Sequence, residues 1–247
     1  MTAEEKTRLA LFLDLAPAAV PRGGYLERRE CPAFCDDPMG GEEPGPAFAA
    51  DGFGLLESDV RSCSACRLAQ TRKNTVPGEG VPRPLVMVVG EGPGADEDES
   101  GRPFVGKAGQ LLDKMLAAIG LSRQTNCFIA NVIKCRPPNN RDPHPDETAA
   151  CAGFLERQAR LLAPAFILCT GRVAAQTLLD THEGIGRLRG RVSKLKLAGA
   201  EIPFLATYHP SALLRNEELK RPAWEDLKLL RSELERMGIA PAESGPG

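Results

Sequence analysis

Four cysteines are spaced like the ligands of one metal centre. Cys63 and Cys66 form a C-x2-C pair in a polar, basic turn, and Cys135 and Cys151 follow far downstream. The C-x2-C spacing lets two thiolates reach one centre from a single loop. Four thiolates in a roughly tetrahedral arrangement suit either zinc or a [4Fe-4S] cluster, and the spacing alone does not separate the two.

The remaining cysteines do not favour a ligand role. Cys127 and Cys169 each stand inside an apolar run and are expected in the core. Cys31 and Cys35 lie in an N-terminal stretch rich in proline and glycine, and we assign them no ligand role. Eight cysteines without a secretory signal argue for metal or redox chemistry rather than a disulfide scaffold. The alternative for Cys63, Cys66, Cys135 and Cys151 is that they are unrelated buried or exposed cysteines.

A glycine-rich loop, Gly-Glu-Gly-Pro-Gly at residues 90–94, follows the first predicted strand. It presents backbone with little side chain, as a phosphate loop or a plain tight turn would. The acidic run at residues 96–99 would repel a triphosphate, and it suits either water positioning or a solvated acidic face. Phe104 stands just before a predicted helix, where it either stacks on a planar base or packs in the core.

Asn131 and His209 stand at the ends of two further predicted strands. The Asn131 amide offers one acceptor and two donors, which match the N–H and carbonyl edge of a planar base; a turn-forming asparagine is the alternative. His209 can donate to an oxygen on which negative charge builds, unless it is a structural histidine beside a proline turn. Candidate contacts to a nucleic acid follow it: Ser211 and Arg215 for phosphates, and Leu213 or Leu214 as a wedge.

Apolar runs and helical patterns alternate along the chain and would position these residues. Residues 85–89, 127–130, 166–169 and 202–206 are predicted to be buried strands. Helices are predicted at 108–119, 148–162, 173–179 and 222–237. This order predicts an α/β fold, a three-layer α/β/α sandwich with a central, short, mainly parallel four-stranded sheet. Ligands of such a sheet bind beyond the carboxyl ends of its strands.

We expect one domain over residues 53–238, a poorly ordered or linker-like N-terminal extension at 1–52, and a C-terminal tail at 239–247. The formal net charge is only -2, so any contact to a nucleic acid must be local. No stretch approaches the roughly 20 apolar residues that span a bilayer. We therefore expect no membrane partner and a cytoplasmic location, associated with a bacterial or archaeal nucleoid.

Several motifs occur in order within residues 59–237 and carry a family likeness. They read GEGPGADED at 90–98, GRPFVGKAGQLL at 101–112, NVIKCRPP at 131–138 and HPSALLR at 209–215. Together with the cysteine spacing, they resemble the family 4 uracil-DNA glycosylases. The resemblance implies a structural [4Fe-4S] cluster, whose ligands would be Cys63, Cys66, Cys135 and Cys151.

The resemblance also implies a role for each motif residue. Phe104 would stack on uracil, Asn131 would read its edge, and His209 would stabilise it as it leaves. Gly90, Glu91 and Gly92 would line the pocket, with Glu91 and Glu97 as the candidate catalytic carboxylates and Glu97 positioning water. The extension before residue 53 has no counterpart in the family. A related branch that traps its substrate covalently carries a histidine-bearing insertion after the Asn131 region. This chain reads Cys-Arg-Pro-Pro there, so we expect no covalent intermediate.

The implied function is base excision repair of uracil-containing DNA, single- or double-stranded. The protein would flip the nucleotide out of the duplex, hydrolyse its N-glycosidic bond and release free uracil, leaving an abasic site without strand cleavage. We expect a monomer, and contact with a replication clamp stays open. The alternative from another class is a zinc-stabilised nucleotide or nucleic-acid binding module that uses residues 90–94 for phosphate.

Overall fold

The computed structural model describes residues 52–239, and every structural statement below concerns that range. The strands are β1 (Glu79–Gly80), β2 (Val86–Gly90), β3 (Cys127–Asn131), β4 (Phe166–Thr170), β5 (Val192–Leu197) and β6 (Ala200–Thr207). The helices are α1 (Phe53–Ser62), α2 (Ala95–Ser100), α3 (Lys107–Ala117), α4 (Pro145–Leu162), α5 (Arg172–Leu179), α6 (Ile185–Leu188), α7 (Pro210–Arg215) and α8 (Lys220–Arg236). Short 3-10 helices cover Arg67–Gln70, Pro138–Asn140 and Glu217–Leu219.

The strands form one six-stranded sheet in the order β1-β3-β2-β4-β6-β5. The four central strands run parallel, and β1 and β5 pair antiparallel at the two edges. The predicted sheet is therefore confirmed at its parallel centre and wrong in its number of strands. Both edge strands lack an apolar run, because β1 has only two residues and β5 carries the exposed Lys194 and Lys196.

Each central strand is buried on both faces, so its side chains alternate between two cores. In β2, Val86 and Val88 enter one core, whereas Met87 and Val89 enter the other. Helices α3 and α8 cover the first face, and α4 and α5 cover the second. The three-layer α/β/α sandwich is confirmed.

The predicted helices and strands lie close to the observed ones. The largest shift is at α4, which begins at Pro145 because proline at a first helical position and a carboxylate cap start it early. That cap is Glu147, whose Oε2 accepts a hydrogen bond from the backbone N–H of His144 at 2.8 Å. Cys127 and Cys169 are fully buried in their strands, as predicted.

Two sequence predictions fall largely outside the described residues. The extension at 1–52 with Cys31 and Cys35, and the tail at 239–247, are described only at residues 52 and 239. Over the described range, none of the helices combines the length and the apolar character needed to cross a membrane.

Candidate active site

The carboxyl ends of the four parallel strands open into one cleft of 630 Å³. The loops that follow these strands supply its walls, because parallel strands end at the same edge of a sheet. The structure thereby brings together most of the site residues predicted from the sequence. Those that line the cleft are Glu91, Gly92, Glu97, Phe104, Asn131, His209, Ser211 and Arg215.

Asn131 forms the floor of the cleft. It is the last residue of β3, and its side chain is almost completely buried. Its backbone carbonyl accepts a hydrogen bond from Lys134 Nζ at 2.7 Å. Its side-chain Oδ1 is buried and has no hydrogen-bond partner within residues 52–239. An unsatisfied buried acceptor costs about 1–3 kcal/mol, so this oxygen is placed to receive a donor from a ligand.

Gly90 keeps the space above Asn131 open. A Cβ at this position would lie 2.5 Å from Asn131 Oδ1 and 2.6 Å from Phe104 Cζ. The Phe104 ring therefore lies directly over the end of β2. The ring belongs to the core cluster beneath α3 and also lines the cleft. Its stacking on a base stays a prediction.

His209 lies at the start of α7, where its ring is fixed by its own helix. Nδ1 accepts a hydrogen bond from the Ser211 backbone N–H at 3.2 Å, and Ser211 Oγ lies 2.8 Å from the same atom. Burial, assisted by the charge of Arg215, lowers the pKa of His209 to about 4. The ring is therefore neutral at pH 7, and because Nδ1 is an acceptor, its hydrogen is on Nε2.

Glu91 follows Gly90 in the wall of the cleft. Burial raises the pKa of its carboxyl to about 7; the charge of Asp142 adds to this rise, and Arg172 opposes it. A carboxyl that exchanges its proton near neutral pH is suited to general-base chemistry. The Glu91 carbonyl also accepts a hydrogen bond from the Ile133 N–H at 3.1 Å, which ties the glycine loop to the turn after β3.

Glu97 holds two loops together. Its Oε1 accepts hydrogen bonds from the backbone N–H groups of Val105 at 2.8 Å and Gly106 at 3.0 Å, and its Oε2 accepts one from Gly94 at 3.0 Å. The Glu97 carboxylate thus connects the glycine loop to the segment that carries Phe104. Its part in positioning water stays a prediction.

The acidic run divides between buried and exposed residues. Asp98 is buried, and its Oδ1 accepts hydrogen bonds from the backbone N–H groups of Lys73 at 2.9 Å and Asn74 at 3.3 Å. Asp96 and Glu99 are exposed. Only part of the run is therefore a solvated acidic face.

Helix α7 carries the predicted nucleic-acid contacts. Ser211 and Arg215 line the cleft, and the Leu214 side chain is 49% exposed beside it. Leu213 is fully buried and belongs to the core under α3 and α8. Of the two leucines considered as a wedge, Leu214 is thus the one available at the surface, and Leu213 anchors the helix.

Four charged residues that line the cleft were not identified from the sequence: Lys107, Arg141, Asp142 and Arg172. Asp142 Oδ2 and Arg172 Nη2 lie 2.5 Å apart, and Arg141 lines the cleft while pairing with Glu147 at 2.6 Å. Arg172 could have been found, because it follows the third predicted strand at the edge where ligands bind. Arg141 and Asp142 lie in a polar loop whose sequence carries no such signal.

The four spaced cysteines line one cavity. Cys135 and Cys151 are buried, whereas Cys63 and Cys66 are half-buried. Arg72 donates from Nη1 to Cys135 Sγ at 3.2 Å and from Nη2 to the Cys63 carbonyl at 2.7 Å. Across the described residues, no group of three or more His, Cys, Asp or Glu side chains is arranged to hold a metal ion. The four thiols and the Arg72 donor have the chemistry of a thiolate centre, but their side chains are not arranged around a metal ion in this structure.

Comparison with known proteins identifies the class to which this fold and cleft belong. The family model for the uracil DNA glycosylase superfamily matches residues 77–228. This match spans β1 to β6 and includes every cleft residue described above, so the chain belongs to that superfamily.

Individual relatives define the branch within the superfamily. The chain is 44% identical to a type-4 uracil-DNA glycosylase of Sulfurisphaera tokodaii over 73% of this chain and 84% of the relative. It is 43% identical to one of Archaeoglobus fulgidus, over 69% and 87%, and 41% identical to one of Thermotoga maritima, over 74% and 95%. The protein is a member of the type-4 uracil-DNA glycosylase family.

Proposed function

We propose that the protein excises uracil from DNA by hydrolysing the bond between the base and its deoxyribose. The observation that carries this proposal is the buried, unpartnered Oδ1 of Asn131 at the floor of the cleft. It lies beside the Phe104 ring, so a planar base that enters the cleft has a stacking surface and a polar edge contact in one place.

The Asn131 amide suits the N3–H and O4 edge that uracil shares with thymine and that cytosine lacks. Oδ1 can accept from N3–H of the base while the amide NH₂ donates to O4. Cytosine presents the reverse pattern, an acceptor at N3 and a donor at its amino group, and it mismatches this orientation of the amide. A base without a donor at N3 would leave the buried oxygen unsatisfied, which is how a polar site rejects a close analogue.

His209 would stabilise the departing base. As the C1′–N1 bond breaks, negative charge builds on the uracil and positive charge on the sugar. A neutral imidazole with its hydrogen on Nε2 can donate to a uracil carbonyl oxygen without first gaining a proton. The low pKa of His209 keeps this form populated throughout the neutral range.

Glu91 is our candidate for the group that acts on the sugar side. Its carboxylate form would stabilise the positive charge and accept a proton from the attacking water. The hydroxyl of that water bonds to C1′, and the uracil anion leaves with the electron pair of the broken bond and gains a proton. The products are free uracil and an abasic site, with the DNA strand intact.

A uracil in a duplex must first be flipped out of the base stack, a step that costs a few kcal/mol and costs less at a mispair. We propose that Ser211 and Arg215 contact the DNA backbone and that Leu214 fills the gap in the stack. U:G pairs and single strands are then the favoured substrates. That the protein acts as a monomer stays a prediction.

We also propose that Cys63, Cys66, Cys135 and Cys151 hold a [4Fe-4S] cluster. Support comes from their common cavity and from the Arg72 hydrogen bond to Cys135 Sγ, since N–H donors to the sulfurs are typical of such centres. When bound, the cluster would cross-link α1, the turn after β3 and α4. We assign it no part in the chemical step.

The experiment that tests the activity is an assay for released base. An oligonucleotide with one labelled uracil, opposite guanine, opposite adenine or in a single strand, is incubated with the protein and the products are separated. We expect free uracil and a strand that breaks only after alkali. A nick without alkali would contradict simple hydrolysis, and intact uracil in all three substrates would contradict the function.

A further inference from the structure

A buried arginine outside the predicted site holds the backbone of Phe104. Arg123 lies in the loop between α3 and β3, and its side chain is 4% exposed. Its Nη1 donates to the Pro103 carbonyl at 2.8 Å, and its Nη2 donates to the Phe104 carbonyl at 2.9 Å. One guanidinium thus binds two consecutive carbonyls of the segment that carries the ring.

That segment needs support because of its conformation. Phe104 has φ 52, in the left-handed region that residues with a Cβ rarely adopt. The next two backbone N–H groups, of Val105 and Gly106, are bound by Glu97. Arg123 on the carbonyls and Glu97 on the amides therefore hold the segment from both sides.

The charge of Arg123 is balanced by residues of two other elements. Its Nη2 lies 2.9 Å from Asp113 Oδ1 on α3, and its Nη1 lies 3.5 Å from Glu79 Oε2 on β1. Glu79 also pairs with the exposed Arg102, at 2.8 Å. A buried cation is tolerated where it is paired and hydrogen-bonded in this way, so the guanidinium is fixed before it contacts the Phe104 segment.

We propose that Arg123 is a positioning residue for base recognition: it holds Phe104 in the conformation that places the ring over the uracil. This inference rests on the proposed function, in which Phe104 stacks on the base. A planar guanidinium that serves two carbonyls and two carboxylates has no equivalent in a lysine ammonium. Arg123→Lys should therefore keep the ion pair with Asp113 and lose the hydrogen bond to one or both of these carbonyls.

A double-mutant cycle between Arg123 and Phe104 tests the proposal. The two single variants Arg123→Met and Phe104→Ala, and their combination, are compared with the wild type. The readouts are inhibition by free uracil, the single-turnover rate of base release and thermal unfolding. Arg102→Gln is the control, because it removes the exposed partner of Glu79 and leaves the Arg123 hydrogen bonds to the Pro103 and Phe104 carbonyls in place.

We expect Arg123→Met and Phe104→Ala each to weaken inhibition by uracil roughly tenfold, because each impairs the stacking contact with the base. In the Phe104→Ala background, the arginine substitution should cost less than about twofold more, since coupled residues are not additive. Arg102→Gln should bind uracil as the wild type does. A role confined to stability would lower the unfolding temperature but leave uracil inhibition unchanged.

Two results would overturn the proposal: normal inhibition by uracil in Arg123→Met, or equal losses from the arginine substitution with and without the Phe104 ring. If Arg123→Met does not fold, the same cycle with Arg123→Lys decides by the same two criteria. Failure of the proposed function is distinguishable, because it would appear as no base release by the wild type in the same assay.

Discussion

The rings of Phe104 and His209 lie side by side in the cleft, with centroids 5.6 Å apart and planes inclined by 33°. The two residues come from different segments: Phe104 lies between α2 and α3, and His209 follows β6. Each residue is fixed by a hydrogen bond. The Arg123 guanidinium donates to the Phe104 carbonyl, and the Ser211 backbone N–H donates to Nδ1 of His209. A base that stacks on the first ring is thus brought within reach of the hydrogen-bond donor on the second.

Gly90→Ala should inactivate the protein without unfolding it. The added methyl would lie 2.5 Å from Asn131 Oδ1 and 2.6 Å from Phe104 Cζ, so the base must shift or the ring must move. A misplacement of about 1 Å can cost around 100-fold in rate, and we expect at least that loss in single-turnover base release.

The matched control for Gly90 is Gly153→Ala on α4, where an added Cβ has no neighbour within 4 Å. It should keep full activity and gain about 0.5–1 kcal/mol of stability, because alanine favours the helix. Equal activity of both alanine variants would show that the space above Asn131 is not used.

The rate of base release should rise with pH through an apparent pKa near 7. The raised pKa of Glu91, about 7, means that its active carboxylate form appears only as pH increases through that value. His209 has a pKa of about 4 and does not titrate between pH 5.5 and 9. Single-turnover rates of the wild type and Glu91→Gln over this range are the measurement; a rise of the same shape in both would remove Glu91 from the chemical step.

The same group makes a prediction for stability. Because the folded-state pKa of Glu91 is raised from 4.5 to about 7, its favourable contribution is present below pH 4.5 and is lost as pH rises through 7. The thermal unfolding temperature of the wild type should therefore fall relative to that of Glu91→Gln as the pH rises from 4.5 to 7. A constant difference would mean that the Glu91 carboxyl is not desolvated.

Glu97→Ala should destabilise the fold as well as lower activity. It leaves three backbone N–H groups without their acceptor, and we expect a loss of about 1–3 kcal/mol in urea unfolding. Glu99→Ala on the same helix is the control: Glu99 is 67% exposed, and its variant should stay within about 0.5 kcal/mol of the wild type. Unchanged stability in Glu97→Ala would show that its carboxylate does not hold the two loops together.

Removal of one cluster ligand should abolish metal binding. Protein purified without oxygen should contain about four iron atoms per chain and absorb broadly in the visible range, and Cys135→Ser should lose both. Cys169→Ala, in a strand of the core, should keep them. A colourless protein with one zinc ion per chain would instead favour a structural zinc site at these cysteines.

The sequence predicted the centre of the fold because its four parallel strands are buried on both faces and therefore read as continuous apolar runs. It missed β1 and β5, whose outer edges are exposed. It placed Phe104, Asn131 and His209 in one cleft because each follows or ends a parallel strand. Arg123 left no signal, since a polar loop residue between two elements reads as solvent-exposed and only the tertiary structure shows which carbonyls it meets.

The most direct test of base recognition is the single-turnover rate of uracil release by Asn131→Ala from a U:G duplex. Loss of a buried contact to the reacting group should reduce this rate by roughly 10²- to 10³-fold, with normal folding. Asn216→Ala, which removes an exposed helix cap that does not line the cleft, is the control and should react as the wild type does. Near-normal release by Asn131→Ala would contradict the proposal that its buried oxygen reads the base.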